Sequence, residues 1–315
     1  MTVGDGSPWS GPWPRSYLYC PGDRPDRLAR VRAWGADAVI ADLEDSVHAS
    51  RKPAARAAVA AWLADLPSAL HADHAGKGQL GEVWVRVNSG TLAEDVAAIV
   101  GPAVRGIVLP KAEPALAATL DDLLSRAERD CGLRPGSVAV QPVIETATGL
   151  LAAAELASAP RVARLGFGEA DLAAELCADV RTDPQILGPL RLQLVVASAA
   201  AGIAAPVGPA STDFKDLAAL RTGTEALLRM GFRARTAIHP AQLTCINEVF
   251  TPSREQVANA RQLIAAFDEA TAKGVGVITG PDGTMADNAV LRSARDVLAR
   301  AAWQCEPRAD PGAVT

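Results

Sequence analysis

The stretch VQPVIETATGLL (Val140–Leu151) changes character at one position. Val140 to Ile144 could fill a buried strand, and then a carboxylate, Glu145, arrives where the strand gives out. A second run, RLGFGEADLAAEL (Arg164–Leu176), ends its strand-like part the same way, in Glu169 and Asp171. Working outward, eight short apolar runs alternate with longer Ala-rich runs: SYLYCPG, AVIADLED, VWVRVN, GIVLPKAE, VAVQPVIET, RLGFGEADL, APVGPAST and RTAIHPAQ. Between them, apolar residues recur at three- and four-residue steps, with Gly often following the last turn, as a helix C-cap requires. Continuous apolar strands alternating with helices predict a parallel sheet buried on both faces. The count fits an α/β fold of the (β/α)8 TIM-barrel kind, which typically needs ~250 residues. An open doubly wound sheet would normally carry a Gly-rich phosphate loop after its first strand, and YCPGDRPDR (Tyr19–Arg27) is not one.

The alternation stops near residue 250. The reading is a loose Gly/Ser/Pro arm over 1–14, the barrel over 15–250, a C-terminal helical extension over 251–305 and a tail over 306–315. The chain has 315 residues, 49% hydrophobic and 21% charged, with net charge −5. Its Lys and Arg are scattered, which argues against nucleic acid. No apolar run approaches the ~20 residues that cross a bilayer. The N-terminus lacks a secretory pattern and the five cysteines are spread without a C-x-x-C, so a reduced cytoplasmic setting is expected. Four of those cysteines are expected to behave as small hydrophobes.

In a barrel of this kind, chemistry belongs at the C-terminal ends of the strands. The polar residues fall there: Asp42, Glu44 and Asp45 after the second strand, Arg86 and Asn88 after the third, Lys111 after the fourth. Glu145 follows the fifth, Glu169 and Asp171 the sixth, and His239 the eighth. Glu145 and Asp171, on neighbouring strand ends, suit a hard cation that takes one or two carboxylates and keeps water or substrate oxygens. The alternative is a rim salt bridge with Arg86 or Lys111. Arg86 can clamp a substrate carboxylate in a way Lys cannot, or pair internally with DLED (Asp42–Asp45), or both. His239 reads equally as a general base and as a structural histidine, and is not assigned a role. His71 and His74 have zinc-like spacing but lie in a polar insertion without a third ligand.

These motifs, taken with TDFKDL (Thr212–Leu217) and AIHPAQLTCINEVFTPS (Ala237–Ser253), resemble the citrate lyase beta-subunit-like family, the acyl-CoA ester lyases of the HpcH/HpaI aldolase superfamily. The resemblance runs in order from about Arg15 to Ala302. It implies Mg2+ held by Glu145 and Asp171, with Arg86 binding the carboxylate of an oxo-acid portion and Glu44 and Asp45 as a supporting acidic pair. It also implies that Asp287, in DGTMADNAV (Asp282–Val290), enters a neighbouring subunit's site as acid/base. The family motif usually has Lys where Thr284 stands, and Pro shortly after the aspartate where Asn288–Ala289 appear. Arg24 and Arg27 are candidate contacts for CoA phosphates, with a solvated helical turn as the alternative.

The expected reaction is cleavage of the C–C bond of a 3-hydroxyacyl-CoA, of malyl-, citramalyl- or citryl-CoA type, to an acyl-CoA and a 2-oxo acid. A homo-oligomer, trimer or hexamer, is implied with it. Three alternatives stand beside this: a malyl-CoA-type thioesterase on the same site, a CoA-independent metal aldolase, and a non-catalytic acyl-CoA-binding protein. The C-terminal extension argues against the aldolase, and the presence of Glu145, Asp171 and Arg86 argues against the binding protein.

Overall fold

The computed structural model describes residues 13–66, 81–180, 183, 186–272, 278–279 and 285–301. The polar insertion with His71 and His74, most of the N-terminal arm, Thr284, Cys305 and the tail lie outside them. Eight parallel strands close into a barrel in sequence order. They are β1 (Ser16–Pro21), β2 (Ala38–Asp42), β3 (Glu82–Arg86), β4 (Gly106–Leu109), β5 (Ala139–Ile144), β6 (Arg164–Phe167), β7 (Ala204–Gly208) and β8 (Ala234–Ala237). The barrel shuts where Ser16, Tyr17 and Leu18 pair with Arg235, Thr236 and Ala237. All eight strand-like runs of the sequence are strands of this one sheet, and among the described residues no helix is long and apolar enough to cross a membrane.

The helices are α1 (Pro25–Leu28), α2 (Lys52–Ala64), α3 (Leu92–Ile99), α4 (Pro114–Asp130), α5 (Ala147–Leu151), α6 (Ala153–Ala157), α7 (Glu169–Glu175), α8 (Gly188–Ala201), α9 (Leu217–Met230), α10 (Leu243–Phe250), α11 (Arg254–Ala272) and α12 (Asn288–Ala301). Local chemistry sets their ends. Pro opens α4 at a position whose N–H has no helical partner, and the Asp216 carboxylate caps α9 by accepting from the Ala219 amide at 2.8 Å. Gly202 and Gly231 end α8 and α9 in left-handed conformation. Every residue of β2, β4 and β5 is buried, because one face meets the helices and the other the barrel interior.

The interior decides where a ligand can go. Tyr17, Ile40, Trp84, Val108, Val143 and Val207 fill it. Trp84 fits only because Gly106 opposite has no side chain, since a Cβ there would sit 2.3 Å from the indole. Burying that indole contributes about 2–3 kcal/mol, and Tyr17 meets it edge-on at 5.9 Å. The N-terminal end is plugged by Arg164, fully buried, which donates to the carbonyls of Ala205 and Pro14 and to the Tyr17 hydroxyl. A ligand is therefore left the opposite, C-terminal mouth. Of the four described cysteines, Cys20 and Cys245 are buried but Cys131 and Cys177 are exposed. The expectation that four of the cysteines behave as small hydrophobes is thus corrected for two: Cys131 ends a surface helix, and Cys177 adopts a left-handed turn after α7.

Candidate functional site

Period-two alternation carries polar side chains into the mouth. Asp42 follows Ile40 and Ala38, Arg86 follows Trp84, and Glu145 follows Val143, each two residues beyond an interior apolar residue. Asp42 and Arg86 are also register partners on adjacent strands. Their side chains meet in two parallel hydrogen bonds: Arg86 Nε donates to Asp42 Oδ1 and Nη2 to Oδ2, both at 2.7 Å. Burial works against the Arg86 charge, and Asp42 with Glu44 more than offsets it, holding the guanidinium well above its ordinary pKa. Burial likewise opposes the Asp42 charge, but Arg86, the Ser46 side chain and the Glu44 amide hold that carboxyl below its usual range. The Tyr19 ring lies 4.7 Å from the guanidinium carbon and fixes its plane.

The acidic group expected around Arg86 is present, with the leading partner being Asp42 rather than Glu44 or Asp45. Glu44 is buried, with Oε2 2.9 Å from Arg86 Nη1 but off the hydrogen-bond line, so that oxygen accepts from no donor among the described residues. Asp45 is exposed and reaches Nη1 at 3.4 Å. The Nε edge of Arg86 is committed to Asp42, so a substrate carboxylate could engage only the Nη1 side, in competition with Asp45.

Glu145 is buried at the end of β5. The Lys111 amide donates to its Oε1 at 2.6 Å, while the Lys111 ammonium reaches Glu44 Oε1 at 2.8 Å. Its Oε2 faces Gly168, where a Cβ would lie 2.4 Å away. Burial raises the Glu145 carboxyl to about 7; Lys111 opposes the rise, and Glu44 and Asp171 add to it. Asp171 is exposed in the first turn of α7, near enough for its charge to act on Glu145. Glu169, the other acid there, is committed to Arg191 through two bonds of 2.6 and 2.8 Å. No group of three or more His, Cys, Asp or Glu encloses a metal among the described residues. An open site of two carboxylates is what remains, and it fits a hard cation: the donors are oxygens only, the carboxylates repel, and one oxygen of Glu145 is tied back while the other has room.

Two consequences can be measured. Gly168→Ala is expected to displace Glu145 and weaken divalent-cation binding about 10–100-fold, the range typical for groups that orient a ligand, as read by calorimetric titration. The second concerns pH. With its folded pKa at about 7 and an ordinary value of 4.5, Glu145 keeps a proton in the folded chain that the unfolded chain has released. Stability of chelator-treated protein should therefore fall as pH rises through that window. In Glu145→Gln the same melting series should lose that slope.

The remaining expected site residues lie elsewhere. Arg24 pairs with Asp26 through two bonds of 2.9 Å in the exposed loop after β1, and Arg27 is exposed on α1 beside it. His239 accepts from the Ala241 amide at 3.2 Å and stacks on Phe214 at 4.5 Å, which makes it a capping residue at the mouth's edge. Asp287 is exposed and caps α12, accepting from the amides of Ala289 (2.7 Å) and Val290 (3.2 Å). Those two amides lower its pKa, which keeps it anionic. Sequence reading gave no role to Gly168 or Tyr19 and gave Lys111 only that of a rim ion pair. The inward period of two could have singled out Asp42.

The chain is similar to known proteins over most of its length. The family model "HpcH/HpaI aldolase/citrate lyase" matches residues 15–240. A (3S)-malyl-CoA thioesterase from Cereibacter sphaeroides is 36% identical over 290 residues, 91% of this chain and 94% of the relative. The citrate lyase subunit beta of Leuconostoc mesenteroides subsp. cremoris is 30% identical, over 90% of this chain and 92% of its own length. Among solved structures, the CitE protein of Mycobacterium tuberculosis in complex with magnesium, acetoacetate and coenzyme A is 29% identical with a TM-score of 0.70, covering 94% of this chain and 99% of that one. With a match across the whole barrel and relatives aligned over nine-tenths of its length, the chain belongs to the HpcH/HpaI aldolase/citrate lyase family.

Proposed function

We propose that the protein is a Mg2+-dependent enzyme that cleaves the C–C bond of a 3-hydroxyacyl-CoA, of malyl-, citramalyl- or citryl-CoA type, to an acyl-CoA and a 2-oxo acid. The observation that carries this reading is the opposed pair at the mouth: a buried carboxylate, Glu145, with a second, Asp171, acting on it, beside a guanidinium held rigidly by Asp42 and Tyr19. Glu145 and Asp171 would hold the cation, which when bound supplies Lewis-acid polarisation of the substrate's hydroxyl and carboxylate. Arg86 binds the oxo-acid carboxylate through its Nη1 side and places positive charge beside the enolate that leaves. Glu44, with an uncommitted oxygen, orients the water or substrate groups around the cation. On cleavage the 3-hydroxyl loses a proton as the C–C bond breaks and the acyl-CoA enolate gains one at carbon. Asp287, anionic and supplied by a neighbouring copy in a homo-oligomer, takes the hydroxyl proton and delivers it to the enolate, and in the condensing direction removes it from the thioester's α-carbon. Arg24 and Arg27, after β1, engage the CoA phosphates.

The thioesterase reading has its own support in the 36% identical relative. It uses the same site, with water attacking the thioester in place of carbon–carbon scission. The two differ in products. Incubation with a panel of malyl-, citramalyl- and citryl-CoA, in Mg2+ and then in chelator, should release a 2-oxo acid that a hydrazone-forming reagent detects, and only with Mg2+. Free CoA with no oxo acid from any ester would replace the lyase by the thioesterase. Oxo acid released equally in chelator would remove the metal from the account.

A further inference from the structure

The loop after β4 holds a backbone feature that the chemistry above does not use. Lys111 has φ +46°, one of three non-glycine residues in left-handed conformation among the described residues. This region costs an L-residue energy and tends to persist where the surroundings over-determine it. Here the conformation turns the Lys111 amide onto Glu145 Oε1 at 2.6 Å. The next amide, of Ala112, donates to the Val143 carbonyl, locking the loop against β5. The ammonium of the same residue reaches Glu44 at 2.8 Å, and Glu44 in turn lies against Arg86. One residue thus joins the two halves of the mouth, the carboxylate of β5 and the acid–arginine group of β2 and β3.

We propose that Lys111 is a positioning residue whose left-handed backbone aims Glu145 for cation binding, tying back Oε1 so that Oε2 faces the Asp171 side. This rests on the metal reading above. The role belongs to the backbone, so three variants of equal charge can be compared with one another. Lys111→Met, Lys111→Gly and Lys111→Val all lose the ammonium and keep the amide. Gly adopts φ > 0 freely, Met at about the cost Lys has, and the β-branched Val poorly.

The test is calorimetric titration of Mg2+ into chelator-treated protein, wild type and the three variants, with thermal melting alongside. Affinity should be similar for the Gly and Met variants and about tenfold weaker for Val, as the share of chains with Glu145 held in place falls. Equal affinity in all three, with Mg2+ bound by the wild type, would overturn the positioning role and leave the metal reading intact. No Mg2+ binding by the wild type would overturn both. A second measurement needs no variant at 111: amide exchange in the segment 106–113 should accelerate at least severalfold in Glu145→Ala and stay unchanged in Asp171→Ala. No acceleration would show that the amide is not held by Glu145.

Discussion

Glu145→Gln should lower turnover by about a thousandfold or more, since the Lewis-acid contribution it anchors is worth several kcal/mol. The amide is isosteric and its carbonyl can still accept from the Lys111 N–H, so the loop after β4 keeps its anchor. What disappears is the negative charge on the oxygen that faces Gly168. Because burial disfavours that charge in the folded chain, the variant should melt at the same temperature as chelator-treated wild type or above it at neutral pH. Loss of activity without loss of stability is the signature of a functional group held against its own preference. Activity within tenfold of wild type would mean that the cation, if used, binds elsewhere.

Arg86→Met is the second large effect, and here stability and activity should fall together. Removing the guanidinium leaves Asp42, which is 1% exposed, with its charge uncompensated, a situation that typically costs about 3–5 kcal/mol. Chemical denaturation measures that cost directly. The double variant Arg86→Met/Asp42→Leu should recover most of it, because the buried charge leaves with its partner. Activity should not return, since no group remains to bind the oxo-acid carboxylate. If the double variant were as unstable as the single one, the Asp42 bonds would not be what holds this corner of the mouth. Arg86→Lys keeps the charge but not the paired geometry; it should be intermediate in stability and poor in turnover.

The barrel was legible because its physics is local. Continuous apolar strands such as AVIAD and helices ended by Gly202 and Gly231 declare themselves in short windows. Arg86 and Glu145 stood out for a related reason: a charge that ends an apolar strand has few structural uses. The choice of Asp42 over Glu44 and Asp45 as the leading partner of Arg86 was not read, although the inward period of two and the strand register settle it. Lys111 and Gly168 were harder. Their roles depend on a backbone dihedral and on the space beside another residue's side chain, and neither leaves a mark in residue type alone. Asp287 was legible as a motif, yet within one chain it does no more than cap its own helix.

The central claim, that this mouth breaks a carbon–carbon bond, is tested most directly by following carbon. Uniformly 13C-labelled malyl-CoA would be mixed with protein and Mg2+ and monitored by NMR as the reaction proceeds. The account predicts glyoxylate and acetyl-CoA as the first products, appearing together and in equal amounts, with neither formed after chelation. Malate and free CoA as the first products, with no glyoxylate at any time, would contradict it and make the same carboxylates the centre of a thioester hydrolase.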